Sequence, residues 1–357
     1  MAASPRRFNS AANLKSTRLP VRVIRRRLLR WYREQKRDLP WRRSREPYHI
    51  WVSEIMLQQT RVSAAIPYYE RFLRRFPSVR DLATAAERDV LAAWAGLGYY
   101  TRARNLQRAA KKILEMGEFP SEYDSIRALD GVGDYTAAAV ASIAFNLPHA
   151  AVDGNAQRVL SRLTAESGDI GTAVVRQRLR AVAERLLDSA APGECNQAWM
   201  ELGAVVCLPR EPRCAACPLM RHCEARRLGR QGELPLKVSR AAPIEVEKQL
   251  LVIVKGASIL AWQRTSSSAR LAGFWELPEL EQLTGVTVGP LLATFRHTIV
   301  NTHYSFGVHR ARVHQVSTRR APKGFRWLPI EALDEFLLST AAKKALACLA
   351  KQEGTRR

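Results

Sequence analysis

The stretch LDGVGDYTAAAV, residues 129–140, places Gly131 and Gly133 on either side of Val132, directly before a run of helix-forming residues. Two glycines allow the backbone to turn sharply, so the pattern predicts a hairpin between two helices. Its backbone amides and the positive end of the following helix would form a phosphate site that reads no base sequence. A plain helix-to-helix turn is the alternative.

The next informative stretch, HAAVDGNAQRVLSRL at residues 149–163, puts Asp153 immediately before an amphipathic helix. Asp153 therefore occupies the N-cap position. The helix dipole and nearby amides favour a carboxylate there, which predicts that Asp153 stays ionised at neutral pH. A purely structural cap is the alternative.

Outward from these stretches, apolar residues recur with helical period from Val21 to about Glu224, which predicts an all-α region (residues 21–224). Residues 225–246 are polar, contain two prolines and indicate an interdomain linker. Beyond it, LLVIVKG and SILAWQRT predict a β-hairpin, and a helix is expected from about Ile330 to Lys351. Residues 247–357 are thus expected to form a smaller α+β domain.

Four cysteines lie close together in the chain and are separated by six, two and five residues: Cys207, Cys214, Cys217 and Cys223. Such a set of soft ligands implies a metal centre. Structural zinc usually uses two short-spaced pairs, and disulfides belong to oxidising compartments, so an iron-sulfur cluster fits the spacing better. We interpret Cys195 and Cys348 as ordinary buried thiols.

The chain is strongly basic, with a formal net charge of +24 over 357 residues, which favours nucleic acid as its partner. A generally basic, well-solvated surface is the alternative. No apolar run approaches membrane-spanning length. Residues 1–20 contain no acid and lack the apolar centre of a secretory signal, so we expect a cytoplasmic protein with a basic arm that lies on DNA. An organellar transit peptide is the other interpretation of this arm.

The glycine hairpin, the aspartate after it and the cysteine spacing together resemble the helix-hairpin-helix DNA glycosylases that carry a 4Fe-4S cluster. The segment PYHIWVSEIMLQQTRV, with LPWR before it and GLGYYTRARNL after it, is specifically similar to the MutY-type adenine DNA glycosylases. The match spans roughly Leu39 to Cys223. It implies a helix-hairpin-helix core and a monomeric enzyme of base excision repair that removes adenine opposite 8-oxoguanine or guanine in double-stranded DNA.

This resemblance implies Glu54 as the acid that protonates the leaving adenine and Asp153 as the carboxylate that stabilises the sugar cation. The chemistry of N-glycosidic cleavage requires such a pair. Glu54 lies in an apolar helix, where desolvation should raise its pKa. From spacing alone, a partly exposed Glu54 paired with Arg61 or another basic residue is the alternative. By the same resemblance, Asn155 is a partner of Asp153.

Tyr135 stands where the endonuclease III-like relatives carry a lysine nucleophile, which implies a glycosylase that forms no Schiff base. The resemblance implies that its hydroxyl bonds the carboxylates of Glu54 and Asp153. Two enzymatic alternatives share this scaffold, an endonuclease III-like lyase and a mismatch thymine glycosylase. A catalytically silent, cluster-containing DNA-binding protein is the alternative from another class.

The resemblance also implies roles for four further residues that lie in the matching motifs. The target base must leave the duplex, so one set of residues fills the gap and another holds the base. Gln59 and Tyr99 match the residues that wedge into the duplex, whereas Trp41 and Arg42 match residues of the adenine pocket. Core packing is the alternative for Trp41 and Tyr99.

The C-terminal region resembles the MutT-like domain of this family at GFWELP (residues 273–278) and FRHT (residues 295–298). The acidic helix of active nucleotide hydrolases is not evident, so no pyrophosphohydrolase activity is expected. Where the family reads Phe-Ser-His after FRHT, this chain has Ile299, Val300 and Asn301. Contacts to 8-oxoguanine would then have to come from the polar side chains nearby, Thr298, Asn301 and Thr302, with help from His303.

Overall fold

The computed structural model describes residues 19–238, 242–265, 268, 271–299, 301–313, 321 and 324–354. Contacts between Cα atoms divide the chain into two compact units. Of the described residues, the first comprises residues 19–93 and 102–238, and the second comprises residues 94–101 and those from 242 onward. The predicted N-terminal arm lies outside the described residues, apart from Leu19 and Pro20.

The helical region follows the apolar periodicity of the sequence. Some helices, such as that of residues 21–35, bury one stripe, whereas those of residues 47–57 and 134–145 are apolar nearly all round and are buried accordingly. The helices are α1 Val21–Gln35, α2 Pro47–Leu57, α3 Val62–Arg75, α4 Val79–Thr84, α5 Glu87–Trp94, α6 Thr101–Met116, α7 Tyr123–Arg127, α8 Asp134–Phe145, α9 Gly154–Thr164, α10 Ala173–Leu186, α11 Pro192–Val205 and α12 Glu224–Arg227.

Helix α11 packs unusually closely against two neighbours because glycines lie at the crossings. A Cβ atom on Gly193 would come within 2.7 Å of the carbonyl oxygen of Ser142 in α8. A Cβ atom on Gly203 would come within 2.6 Å of the Asn155 side chain in α9. Any side chain at either position would force these helices apart, so the two glycines fix the spacing of α8, α9 and α11.

The second unit contains two sheets and a helix. Their elements are β1 Ile244–Val252, β2 Val254–Lys255, β3 Ser258–Gln263, β4 Trp275–Glu276, β5 Val286–Ile299, β6 Thr302–Val313, β7 Phe325–Pro329 and α13 Thr340–Gly354. In one sheet β6 lies between β1, which is parallel to it, and β5, which is antiparallel. In the other, β3 pairs antiparallel with β2, β4 and β7.

The predicted architecture, a helical core followed by an α+β region, is confirmed, but several details differ. Helix α12 and the start of β1 fall inside the predicted linker, so the irregular connection is shorter than expected. The C-terminal helix begins at Thr340 rather than near Ile330, because the residues in between form a 3-10 turn, Leu333–Glu335, and a β-bridge from Leu338 to Trp275. Cys195 is buried as expected, whereas Cys348 is only half-buried. Within the described ranges, no helix has the length and apolar character needed to cross a bilayer.

Candidate active site

A cavity of about 540 Å³ in the first unit brings together residues from α2, α8, α9 and α11 and from the 3-10 turn Pro40–Arg42. Seven of the predicted site residues line it: Trp41, Arg42, Glu54, Gln59, Tyr135, Asp153 and Asn155. Its volume lies in the range of ordinary small-molecule sites. Residues far apart in sequence thus converge on one concave surface.

Glu54 is a buried carboxyl in the apolar helix α2, with 6% of its surface exposed. Burial raises its pKa to about 7, and the negative charge of Asp153 adds to this effect. A hydrogen bond from Tyr135 and the charge of Arg42 lower the pKa. Glu54 is buried and bonded to Tyr135, and no ion pair to Arg61 or another basic residue is found in the described part of the chain, so the alternative of a partly exposed ion pair is wrong.

Tyr135 lies in the first turn of α8, and its hydroxyl donates to Glu54 Oε2 at 2.7 Å. The Met200 sulfur lies 3.6 Å from the same hydroxyl. The expected bond to Asp153 is not found: in the described part of the chain, Glu54 and Met200 are the hydrogen-bond partners of this phenol. Burial raises the pKa of Tyr135 well above 10, so Tyr135 keeps its proton.

Asp153 is the N-cap of α9, as predicted from its position before the helix. Its carboxylate accepts from the Ala156 amide at 2.7 Å and from the Asn155 side-chain amide at 2.9 Å. Burial nevertheless raises its pKa, and these donors and Arg158 only oppose that effect. The helix start favours the ionised form, as expected, but burial outweighs it in the net shift of the pKa, because the carboxylate lies deep in the cavity wall.

Arg158 connects this carboxylate to the cysteine segment. One guanidinium nitrogen donates to Asn155 Oδ1 at 2.8 Å, and Nε donates to the carbonyl oxygen of Cys207 at 2.8 Å. Asn155 in turn donates to Asp153. The orientation of the Asp153 carboxylate thus depends on a chain of hydrogen bonds that begins in the cysteine segment.

The Trp41 side of the cavity contains a buried ion cluster that the sequence did not reveal. The side chain of Glu201 is fully buried and accepts from Arg37 at 2.7 Å and Arg42 at 2.8 Å. These two cations hold the pKa of Glu201 at about 2. The Trp41 side chain is 8% exposed, and its ring packs edge to face against Tyr69 with 5.4 Å between the ring centroids. Trp41 is therefore both a core residue and part of the cavity wall.

Two predicted wedge residues share an unusual backbone conformation. Gln59 is exposed at the rim of the cavity, with φ +57°. Tyr99 belongs to the second unit, is 46% exposed and has φ +48°. Left-handed conformations are uncommon for such residues and often mark functional positions. The exposure of Tyr99 contradicts the alternative that it is a core residue.

The predicted glycine hairpin is a tight turn between α7 and α8. Gly131 has φ +76°, and a Cβ there would lie 2.8 Å from the Asn105 side chain, so glycine is required. Gly133 is extended and needs no glycine-specific conformation. The Val132 amide donates to the Leu129 carbonyl and is not free for a phosphate, contrary to expectation. The amides of Gly131 and Gly133 have no acceptor in the described part of the chain.

All four clustered cysteines, Cys207, Cys214, Cys217 and Cys223, line one small cavity of about 30 Å³. Arg162, buried in α9, donates to Cys207 Sγ at 3.2 Å and to the carbonyls of Leu208 and Pro209. Among the described residues, no group of three His, Cys, Asp or Glu side chains is arranged to hold a single metal ion. The cysteines thus share a cavity beside a buried cation.

The residues expected to contact the lesion lie around the turn between β5 and β6. Thr298 is exposed on β5, and Thr302 is half-buried at the start of β6. The Asn301 side chain donates to the carbonyl of Ala242 at 3.2 Å, and His303 bonds Glu245 at 2.8 Å. Asn301 and His303 thus already contact the start of β1, and Val300 lies outside the described residues.

The raised pKa of Glu54 makes a prediction about stability. The folded state keeps this proton up to about pH 7, whereas the unfolded state loses it near 4.5, so wild-type stability falls as pH rises between these values. The loss amounts to about 3 kcal/mol. Glu54→Gln cannot ionise, so its unfolding free energy relative to wild type should rise across that window. Urea unfolding from pH 4.5 to 8 measures this, and a constant difference would contradict it.

Comparison with known proteins identifies the family. The model of the HhH-GPD superfamily of base excision DNA repair proteins matches residues 52–185. Human adenine DNA glycosylase is 36% identical, with 91% of this chain and 73% of that protein covered. The mouse enzyme is 34% identical, with 94% and 80% covered. That of Buchnera aphidicola is 35% identical, with 63% and 65% covered.

Two solved structures match the helical region. A thermostable thymine-DNA glycosylase is 27% identical at a TM-score of 0.52, with 58% of this chain and 97% of that chain covered. An endonuclease III–DNA complex, 21% identical at a TM-score of 0.50 with 58% and 96% covered, shares the fold. The human and mouse relatives are both more than 30% identical and are covered over more than two thirds of their length. The chain therefore belongs to the adenine DNA glycosylase family.

Proposed function

We propose that this protein excises adenine from mispairs with 8-oxoguanine or guanine in double-stranded DNA, as a monomer and without lyase chemistry. The observation that carries the proposal is the pairing of Glu54, with its pKa near 7, and the hydrogen-bonded Asp153 in one cavity. Breaking an N-glycosidic bond requires an acid for the leaving base and a negative charge for the sugar. The family relation supplies adenine as the base.

In this mechanism Glu54 donates its proton to N7 of the extruded adenine, so the base leaves as a neutral molecule. A pKa near 7 keeps a large fraction of Glu54 protonated at neutral pH. Tyr135, through its bond to Oε2, holds the carboxyl in place and leaves Oε1 for the base. Asp153, held by the donors Ala156 and Asn155, stabilises the positive charge that develops on the sugar.

The absence of lyase chemistry rests on the cavity lining. No lysine is among the described residues that line the cavity, and Tyr135 lies beside Glu54. A phenol cannot form the Schiff base that a lyase needs. Water then completes the reaction, and the product is an abasic site.

We infer that the four clustered cysteines hold a 4Fe-4S cluster. Thiolates are the ligands such clusters use, and the donor set of four cysteines around one cavity fits them. Arg162, in hydrogen-bond contact with Cys207, supplies positive charge beside the thiolates. The cluster would hold the cysteine segment in place. Arg158, which bonds both Cys207 and Asn155, would then fix the orientation of Asn155 and, through it, of Asp153.

Recognition of DNA is proposed for two further features. The free amides of Gly131 and Gly133 precede α8 and would bind a backbone phosphate. The MutT-like second unit would meet the base opposite adenine, with Thr298, Asn301 and Thr302 as the nearest polar groups of its β5–β6 turn. Because Asn301 already bonds Ala242, discrimination of 8-oxoguanine from guanine is expected to be weak.

The decisive experiment measures base release from labelled duplexes that contain adenine opposite 8-oxoguanine, guanine or thymine, with borohydride present. We expect adenine release from the first two, with less than about a tenfold difference between them, and no trapped protein–DNA adduct. Salt-dependent binding should accompany it because phosphate contacts release counterions. Thymine release without adenine release, or a stable borohydride adduct, would contradict the proposal.

A further inference from the structure

The C-terminal end of α2 is capped by a side chain from another helix. Arg102, in the first turn of α6, donates from Nη1 to three carbonyl oxygens: Ile55 at 2.8 Å, Met56 at 3.2 Å and Gln58 at 2.5 Å. The last carbonyls of a helix have no partner within it, and a glycine turn usually satisfies them. Here the guanidinium does so, and its positive charge matches the negative end of the helix dipole.

The segment that follows, residues 58–60, forms part of the rim of the cavity that contains Glu54. Gln59 holds a left-handed conformation in this segment, and the residues on both sides of it are tied down. Gln58 bonds Arg102 through its carbonyl and Thr136 through its side chain, and the Thr60 amide bonds the Leu57 carbonyl. A disfavoured backbone conformation persists only where its surroundings hold it in this way.

We propose that Arg102 is a positioning residue for the rim segment (residues 58–60). It keeps Gln59 directed outward at the mouth of the cavity, so that an extruded nucleotide can enter and remain there. Its contribution is made before the glycosidic bond breaks, during extrusion of the base. The inference rests on the proposed excision of adenine and adds to it the residue that shapes the entrance.

The contacts of Arg102 separate this role from proton transfer. Three of its acceptors are the backbone carbonyls at the end of α2, whereas the Glu54 carboxyl is bonded to Tyr135. The pKa of Glu54 is set by burial and by Tyr135, Asp153 and Arg42. Loss of the guanidinium should therefore change how often the nucleotide is held in the cavity while leaving the pH dependence of cleavage unchanged.

The test compares two duplexes, one with adenine opposite guanine and one with adenine opposite an abasic-site analogue, where no partner base opposes extrusion. Arg102→Met should slow single-turnover excision about 10- to 100-fold on the first duplex, as expected for a lost charge-assisted hydrogen bond. On the duplex with the abasic-site analogue, the excision rate should fall about threefold or less. Arg102→Lys, which keeps a charged donor, should recover part of the rate. The matched control is Lys111→Met, which removes an exposed cation from α6 and should excise adenine from both duplexes at the wild-type rate.

Equal losses on the two duplexes, or a shifted pH midpoint, would overturn the inference, since Arg102 would then act on the chemical step. Full activity of Arg102→Met would overturn it as well. If Arg102→Met does not fold, the same comparison is made with Arg102→Lys, whose loss must again be larger on the adenine–guanine duplex. Failure of the wild type to release adenine from either duplex would instead contradict the proposed function.

Discussion

Glu54→Gln is expected to bind a mispaired duplex as wild type does but to release adenine roughly 10²–10⁴-fold more slowly, the usual contribution of a general acid. Glutamine preserves the shape of the side chain and can still accept the hydrogen bond from Tyr135. It cannot give a proton to the base, which would then have to leave as an anion. Single-turnover excision and duplex affinity, measured on the same preparation, check both parts.

The matched control is Glu70→Gln, which removes an exposed carboxylate from α3 and should not change the rate. In the wild type the rate should fall as pH rises above about 7, because Glu54 loses its proton there. Glu54→Gln should lack that dependence. A variant that retains wild-type excision, or wild-type rates that do not fall above neutral pH, would exclude Glu54 as the acid.

Asp153→Asn is expected to slow excision roughly 10²–10³-fold, comparable to the loss of a single electrostatic contact to the transition state. Asparagine is as good an N-cap as aspartate, so α9 should keep its bond from the Ala156 amide. Only the negative charge is lost, and the sugar cation then develops without its counterion. The single-turnover rate and the unfolding temperature distinguish a catalytic loss from a structural one.

Asp124→Asn, at an exposed aspartate in the first turn of α7, provides the control for loss of a helix-start charge. It should leave the rate unchanged. If Asp153→Asn lowers the unfolding temperature strongly while the folded fraction remains fully active, Asp153 is a structural cap and the catalytic assignment is wrong.

The convergence of Glu54, Tyr135 and Asp153 follows from sequence motifs because each motif also fixes a local structure. Asp153 precedes an amphipathic helix, Tyr135 follows a glycine turn, and Glu54 lies in a helix too apolar to be exposed. Local structure of this kind can be predicted from the sequence alone. The family resemblance then assigned these positions to one site.

The Glu201 cluster could not be found in this way. Its arginine partners lie about 160 positions earlier in the chain, and no local pattern joins an acid in α11 to the segment after α1. One signal was present: Glu201 interrupts the apolar second half of α11, AWMELGAV, as Glu54 interrupts α2. An acid within such an apolar stretch must find a partner or raise its pKa, and the sequence alone does not distinguish these outcomes.

Depth of burial was the other missing quantity. The direction of the Asp153 pKa shift depends on how much water the cavity wall excludes, which a helix-start pattern does not specify. The parallel pairing of β1 with β6 likewise depends on a contact across more than fifty residues. Both are properties of tertiary packing, where local propensity has little influence.

The glycine crossings of α11 restrict how the enzyme can adapt to its substrate. Gly193 and Gly203 place the backbone of α11 so near α8 and α9 that even a methyl group at either position would clash. Tyr135 on α8 and Asp153 at the start of α9 are therefore expected to keep their separation when a base enters the proposed site. The size of base that the cavity accepts is then set by the side chains that line it. A variant that accepts bulkier purines would need smaller residues at positions such as Leu57 or Val62, rather than a change in how the helices pack.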